Sequence, residues 1–371
     1  MTPSSRQSLA RHYSRFRVGE RILLTGHSHQ AWPDVGFEGQ QRAWLDAADL
    51  VDGKWAAAER QAELVREGVR RILGEPRGEI ALGQNTHELL VRLLSALPLD
   101  RRPRLLTTDG EFHTIRRQLD RLAEAGLEVE RVPSRPADAI AERLAAAVDD
   151  RTAAVLVSSV LFTTGEIVPG LARVAEACAR VGAELVVDAY HHLNVVPFDV
   201  EADGLAGAFV LGGGYKYLQL GEGNCFLRVP PGCRLRPVIT GWFAEFGLLD
   251  HAGADHAVPY GEGAARFAGS TYDPTSHYRA AAVLAFEAAH ALTPHACVPS
   301  ARCRPRVSSA RSSSTISTPL SCASSPSPHW PVRVSWRSVR PMPRDSRGGS
   351  ASGAWRAMRE VRGCVSGQRP M

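Results

Sequence analysis

At 371 residues and 40.2 kDa, the chain can bury one large core and a smaller second one. Its 44% hydrophobic and 22% charged residues are ordinary for a globular enzyme; with no long apolar run and no signal-like start, the expected location is the cytoplasm, with no membrane partner. The formal charge of +5 is uneven: beyond Ala301 the only acids are Asp345 and Glu360, so the part before it is net acidic and no nucleic-acid partner is expected.

From about Trp55, helix and strand patterns alternate. Gln61–Leu73 reads as an amphipathic helix and Glu79–Leu82 as a short strand. His87–Ala96 is a helix with Leu89, Leu90, Leu93 and Leu94 inward, followed by a strand over Arg104–Thr107. Helices are predicted over Thr114–Ala125 and Pro136–Val148, then a buried strand over Ala153–Val157. Leu171, Val174, Cys178 and Val181 share one face of a helix over Leu171–Val181. Leu185–Val187, Ala208–Leu211 and Cys225–Val229 read as three more strands. This order predicts an α/β fold with a mainly parallel sheet covered by helices on both faces, and a ligand beyond the carboxyl ends of its strands.

Ser276–Leu292 reads as one long helix leaving the large domain. From about His295 the chain turns rich in Ser, Arg and Pro, as in SSARSSSTISTPLSCASSPSPHW, with no sustained period. Trp330, Trp336, Trp355 and the late cysteines suit GC-rich codons read out of register better than a disordered tail. The expected organisation is an N-terminal segment over residues 1–54 that belongs to a small domain and a large ligand-binding domain over residues 55–274. A connecting helix over 275–294 and an aberrant tail over 295–371 follow, which leaves the second, smaller domain incomplete. The seven cysteines have no paired spacing, so buried reduced thiols are expected and no metal site.

Only two lysines occur, Lys54 and Lys216, among 44 basic Lys and Arg residues. A lysine kept where arginine is otherwise used suggests chemistry that a guanidinium cannot perform, because an amine can lose its proton. Lys216 follows the strand Ala208–Leu211 within LGGGYKYLQLGEGNCFL, where Gly212, Gly213 and Gly214 permit close backbone approach. Asp188 ends the apolar strand ELVVD; it is either a buried anion that needs a cationic partner or the cap of the next turn. His191 could stack on a ring or bond its oxygen, while His192 reads as structural. Asn85 and Thr86 begin a helix, which suits phosphate binding and simple capping equally. Phe112 in GEFHT could cover a ring face or fill the core, and Thr164 in LFTTG also follows a strand. Together these are the parts that pyridoxal phosphate (PLP) requires: an amine, an anion for the ring nitrogen, a flat apolar face and a phosphate cradle.

The order Asp188-x-x-His191 followed by a glycine-rich strand exit with the lysine resembles the class V aminotransferase group of fold-type-I PLP enzymes. Within that group, YKYLQLGEGNCFL resembles the YKYLxxGxG lysine loop of kynureninases. LLTGHSHQAWP is similar to their LDGNSLG segment, GQNTHELLVRLL to their phosphate helix and VSSVLFTTG to their HVNYxTG. ITGWFAEF is similar to their SGWFGH, and RFAGST to their RFxxGT. The likeness runs from about Leu23 to Leu292. It implies that Lys216 carries the cofactor and shuttles the proton, with Asp188 on the ring nitrogen, His191 beside it and Phe112 stacked on the ring. Asn85, Thr86 and Tyr215 would hold the phosphate, and Trp242 and Thr271 would come from the neighbouring subunit of a homodimer with shared active sites. It departs from the pattern at Ile115, where the family has aspartate, at Phe162 in place of tyrosine, and at Gly26–Gln30. The implied activity is hydrolysis of kynurenine or 3-hydroxykynurenine to an anthranilate and alanine. The alternatives are a class V aminotransferase or cysteine desulfurase-like enzyme and an inactive PLP-binding remnant.

Overall fold

Seven short apolar runs form the strands: β1 Glu79–Gly83, β2 Arg104–Thr108, β3 Glu128–Val132, β4 Thr152–Ser158, β5 Glu184–Asp188, β6 Phe209–Gly213 and β7 Cys225–Val229. They make one sheet in the order β1-β7-β6-β5-β4-β2-β3. From β3 through β6 the pairing is parallel, and β7 runs antiparallel to both β6 and β1. The connection from β6 to β7 is only residues 214–224. That is too short for a helical crossover, so β7 must return antiparallel. The computed structural model describes residues 8–21, 23, 25–251 and 258–294, all within the compact unit Met1–Cys303. The segment from His295 onward, with the expected out-of-register tail and late cysteines, lies outside the described residues.

The helices are α1 Val35–Leu50, α2 Lys54–Ile72, α3 Thr86–Ala96, α4 His113–Glu124, α5 Ile140–Ala147, α6 Leu171–Val181 and α7 Thr275–Ala289. Side chains alternate across the sheet, so each strand feeds two cores. On one face Val155, Val157 and Val187 meet Val65 of α2, Ile140 of α5, Val174 of α6 and Val283 of α7. On the other, Leu105, Leu156 and Phe209 meet Leu89 and Leu93 of α3 and Ile115 and Leu119 of α4. Both faces are covered, as the run of buried residues in β4 requires. Among the described residues no helix is long and apolar enough to cross a membrane.

Three elements differ from the sequence reading. β3, with the sequence EVERV, alternates charged residues because it is the sheet edge; Arg104 of β2 pairs there with Glu130 and with Glu128 at 3.2 Å. α1 has no apolar stripe because it packs through small residues. A Cβ on Gly39 would meet the Tyr278 carbonyl oxygen of α7 at 2.5 Å, and Asp46 accepts from the Tyr278 hydroxyl at 3.0 Å. The helix expected over Pro136–Val148 breaks into a 3-10 turn, Ala137–Ala139, and α5.

Two buried charges differ in how well they are matched. Arg228, inside β7, is fully enclosed but donates to Glu75 (Nε to Oε2, 2.7 Å) and to the carbonyl oxygens of Ala206 and Ala208 at 2.8 and 2.7 Å. Glu287 on α7 is 7% exposed and accepts from Asn194 Nδ2 at 3.3 Å. Its burial pushes the carboxyl up to about 8, against the opposing pull of Arg71 and Asn194. Between about 4.5 and 8 the folded chain keeps a proton that the unfolded chain releases, so this group makes stability fall as pH rises through that window. Glu287→Gln, which retains an acceptor for Asn194, should be more stable than the wild type at pH 8 and lose that advantage near pH 4.5. Urea midpoints at the two pH values test this, and coincident midpoints at pH 8 would exclude it.

Candidate active site

The carboxyl ends of three strands converge. Ser158 closes β4, Asp188 closes β5, and Lys216 lies just past β6. Ser158 and Asp188 are cross-strand partners, and Asp188 also faces Leu211. They open on a cavity of about 280 Å³. Seven residues singled out in the sequence line it: Lys216, Asp188, His191, Asn85, Thr86, Phe112 and Tyr215. The other three do not. The turn from Leu161 to Gly165 closes on itself (Gly165 N to Leu161 O, 2.8 Å), which brings Phe162 to the cavity and leaves Thr164 exposed. Trp242 is 43% exposed and packs on Phe243 and Phe246 at 4.6 and 5.3 Å between centroids. Thr271 lines a separate hollow beside Glu88 and Arg92.

Lys216 is buried, and burial lowers its pKa; Asp188 pulls the other way. Its Nζ donates to His191 Nε2 at 2.7 Å and sits 4.7, 4.8 and 5.6 Å from the ring centroids of Phe112, Tyr190 and Tyr215. Burial, then Lys216 and His27, drive His191 down to about 4, so the imidazole is neutral and Nε2 is free to accept. Asp188 is enclosed, and desolvation raises it to about 6 although the Tyr190 backbone N–H, at 2.9 Å, and Lys216 favour its charge. Asp188 therefore caps the turn after β5 and also faces the cavity. His192 is structural, held by Ser159 at 3.2 Å and the Pro197 carbonyl at 3.1 Å.

The glycines before Lys216 act through the missing side chain, since none of the three has a positive φ. A Cβ on Gly213 would enter the Tyr190 ring, and one on Gly214 would meet Leu220 Cβ at 2.7 Å. The loop closes through Leu220 N to Gly214 O at 2.8 Å. Arg279 of α7 clamps it from outside, donating to the carbonyl oxygens of Leu220 (2.7 Å) and Glu222. At the other end of the cavity Asn85 caps α3, its side chain accepting from Glu88 N at 2.9 Å. That leaves the helix start directed at the cavity edge where Thr86 and Cys225 lie.

Sequence reasoning missed Glu111, Ser158, Tyr190, Cys225 and Arg279. Glu111 and Ser158 looked like ordinary polar loop and strand residues. Tyr190 could have been found from Asp188, two residues before it, and from the glycine at 213 that makes room for it. Cys225 is a buried thiol held up at about 12 by desolvation. Arg279 is hidden among the many arginines of the chain.

A mainly parallel seven-stranded sheet with a lysine and a buried carboxylate at its strand ends defines the fold-type-I PLP transferase architecture. Residues 53–216 match the class-V aminotransferase family. The chain is 32% identical over 187 residues to isopenicillin N epimerase of Streptomyces clavuligerus, covering 48% of this chain and 46% of that one. It is 28% identical over 232 residues to the uncharacterized aminotransferase YcbU of Bacillus subtilis (strain 168), covering 62% and 60%. The matches thus span about half the length of these relatives. Among solved structures, a lysine-to-alanine mutant of C-DES with glycine covalently linked to its PLP cofactor superposes with a TM-score of 0.64 at 17% identity, covering 75% of this chain and 74% of that one. The cysteine desulfurase of Thermococcus onnurineus NA1 superposes with a TM-score of 0.62 at 18% identity, covering 77% and 71%. These two likenesses concern the fold.

The residues present fit that cofactor. The cavity holds an amine of lowered pKa, a desolvated carboxylate matched to a cationic ring nitrogen, an aromatic face at Phe112 and a helix start for a phosphate. Because Gly213 must leave room for Tyr190, Gly213→Ala should displace that ring and cost about 1–3 kcal/mol. Gly207→Ala, where a Cβ meets nothing within 4 Å, is the control. Urea unfolding read by tyrosine absorbance should separate the two; equal midpoints would show that the contact gives way freely.

Proposed function

We propose that this chain binds PLP on Lys216 and acts on an amino acid by moving the proton at its α-carbon. The observation that carries the reading is the buried Lys216 amine, 2.7 Å from the neutral ring of His191, in a cavity shared with the desolvated Asp188. PLP, when bound, supplies an electron sink for the carbon that loses the proton. Asp188 pairs with the ring nitrogen and keeps it cationic, which in turn keeps Asp188 charged despite burial. Phe112 covers one ring face, with Asn85, Thr86 and Tyr215 toward the phosphate. Lys216, its pKa lowered by desolvation, takes the proton, and His191 orients the amine and can share that proton. The assembly is a homodimer in which Trp242 and Thr271 serve the neighbouring cavity; neither lines its own.

The substrate reading that the motifs favour is kynurenine or 3-hydroxykynurenine, cleaved to an anthranilate and alanine; the YKYLQLGEG loop and ITGWFAEF support it. A second reading, proton exchange or inversion at an amino-acid α-carbon, is favoured by the likeness to isopenicillin N epimerase. A desulfurase needs a reactive thiolate. Among the described residues the cavity cysteine is Cys225, whose thiol is held up at about 12 and so stays protonated. Release of a fluorescent anthranilate supports the first reading; deuterium uptake at the α-carbon without cleavage supports the second.

Borohydride reduction of the PLP-loaded chain followed by peptide mapping should recover the pyridoxyl group on Lys216, and Lys216→Ala should lack the visible absorbance band. Recovery on Lys54 would sink the assignment. Asp188→Ala should still take up PLP but slow α-proton exchange by about 10²–10³-fold, since stabilisation of the developing charge is lost. Exchange at the wild-type rate would refute the role of Asp188.

A further inference from the structure

Glu111 is a buried acid that the chemistry above does not use. It follows β2, immediately before Phe112, and is 2% exposed. Thr108 Oγ1 at the end of β2 is hydrogen-bonded to its Oε1 at 2.6 Å, and Ser158 Oγ at the end of β4 to its Oε2 at 2.6 Å. Thr108 Oγ1 also accepts from Gly110 N at 3.1 Å, shaping the turn that leads to Phe112. Ser158 lines the cavity and is the cross-strand partner of Asp188. The Phe112 ring in turn faces Lys216 Nζ at 4.7 Å. One carboxyl group thus ties two strand ends together and sets the residue on either side of the cofactor cavity.

We propose that Glu111 is a positioning residue that works as a neutral, proton-bearing carboxyl, fixing Ser158 beside Asp188 and Phe112 against the cavity. A charge here is opposed first by burial and, to a smaller extent, by the like charge of Asp188. The charged group that faces it is Asp188 from β5, while β2 and β4 present only the hydroxyls of Thr108 and Ser158. Desolvation raises both carboxyl groups, and the Lys216 amine and the Tyr190 backbone N–H favour a charge on Asp188, while no cation acts on Glu111. Asp188 therefore carries the charge and Glu111 the proton. With that proton, Glu111 can donate to one hydroxyl and accept from the other, and a glutamine amide can do the same. Leucine keeps the bulk and loses both bonds.

The proposal rests on the PLP reading for one of its two measurements only. At pH 6, E111Q should bind PLP within about twofold of the wild type, whereas E111L should bind about tenfold more weakly, in line with two lost buried hydrogen bonds. Should E111L fail to fold, Ser158→Ala removes one of the two bonds from the other side and should weaken binding about threefold. PLP affinity of E111L, or in its absence Ser158→Ala, equal to the wild type overturns the positioning role; E111Q as impaired as E111L overturns the neutral carboxyl. The second measurement needs no cofactor. Between pH 6 and pH 8.5 the wild type should lose more stability than E111Q, because only the wild type must ionise Glu111, while Glu287 titrates in both. Equal losses overturn the proposal even if the wild type takes up no PLP, a result that would separately sink the proposed function.

Discussion

Asp188 is a carboxylate enclosed at the end of an apolar, largely buried strand, beside an amine that burial is also driving toward neutrality. In water each would hold its charge without help; in the dry end of this sheet each depends on the other and on what enters the cavity. Much of the surrounding architecture follows from that dependence. The parallel register of β4 and β5 puts Ser158 next to Asp188, and the short return from β6 to β7 brings Lys216 to the same end. The Tyr190 backbone N–H gives the carboxylate a fixed hydrogen bond, and around the lysine amine the rings of Phe112 and Tyr190 stand beside its hydrogen bond to His191. A cationic ring nitrogen supplies what the cavity lacks, a positive group of the right shape against Asp188.

Holding the lysine in this position needs support from outside the sheet. The loop that carries it has left-handed backbone at Gln219, Gly221 and Gly223, and one of these is not glycine. Its geometry is sustained by Arg279, whose guanidinium bonds two loop carbonyl groups and stacks 4.7 Å from the Trp32 ring. Asn194 adds a second tie, donating to the Tyr217 carbonyl oxygen at 3.1 Å as well as to Glu287. Both ties end on α7, so the lysine position is coupled to a helix far from it in sequence. The α1 helix packs on α7 through small residues, with Gly36 against Arg279 and Gly39 against Tyr278.

The sequence exposed this site where a residue type was out of keeping with its surroundings. Lys216 stood out because lysine is otherwise nearly absent, and Asp188 because a charge ended an apolar run. The buried strands were legible because their apolar runs lie between turn residues. β3 was not, because an edge strand needs an apolar face on only one side and its charges pair with Arg104. α1 escaped for a different reason: its contacts are made by absent side chains, which leave no hydrophobic period. The glycines before Lys216 were noticed for backbone freedom, yet their function is to make room for Tyr190, a packing constraint no local pattern encodes. Glu111 was invisible in the same way, since its two partners come from different strands and meet only in the folded sheet.

The charge balance of the cavity bears on how a substrate is recognised. Among the described residues that line it, Lys216 is the single Lys or Arg, and His191 is neutral. On the proposed reading Lys216 holds the cofactor and the helix start of α3 its phosphate, so neither is left for a second anion. An amino-acid substrate brings one more carboxylate, and a planar guanidinium is the group best suited to bind it through two parallel hydrogen bonds. Arg279, the nearby arginine of α7, is committed to the carbonyl groups of the lysine loop and cannot take that task without releasing the loop. Among the described residues that line the cavity, then, the groups suited to the cofactor are present and no free guanidinium for a second carboxylate is.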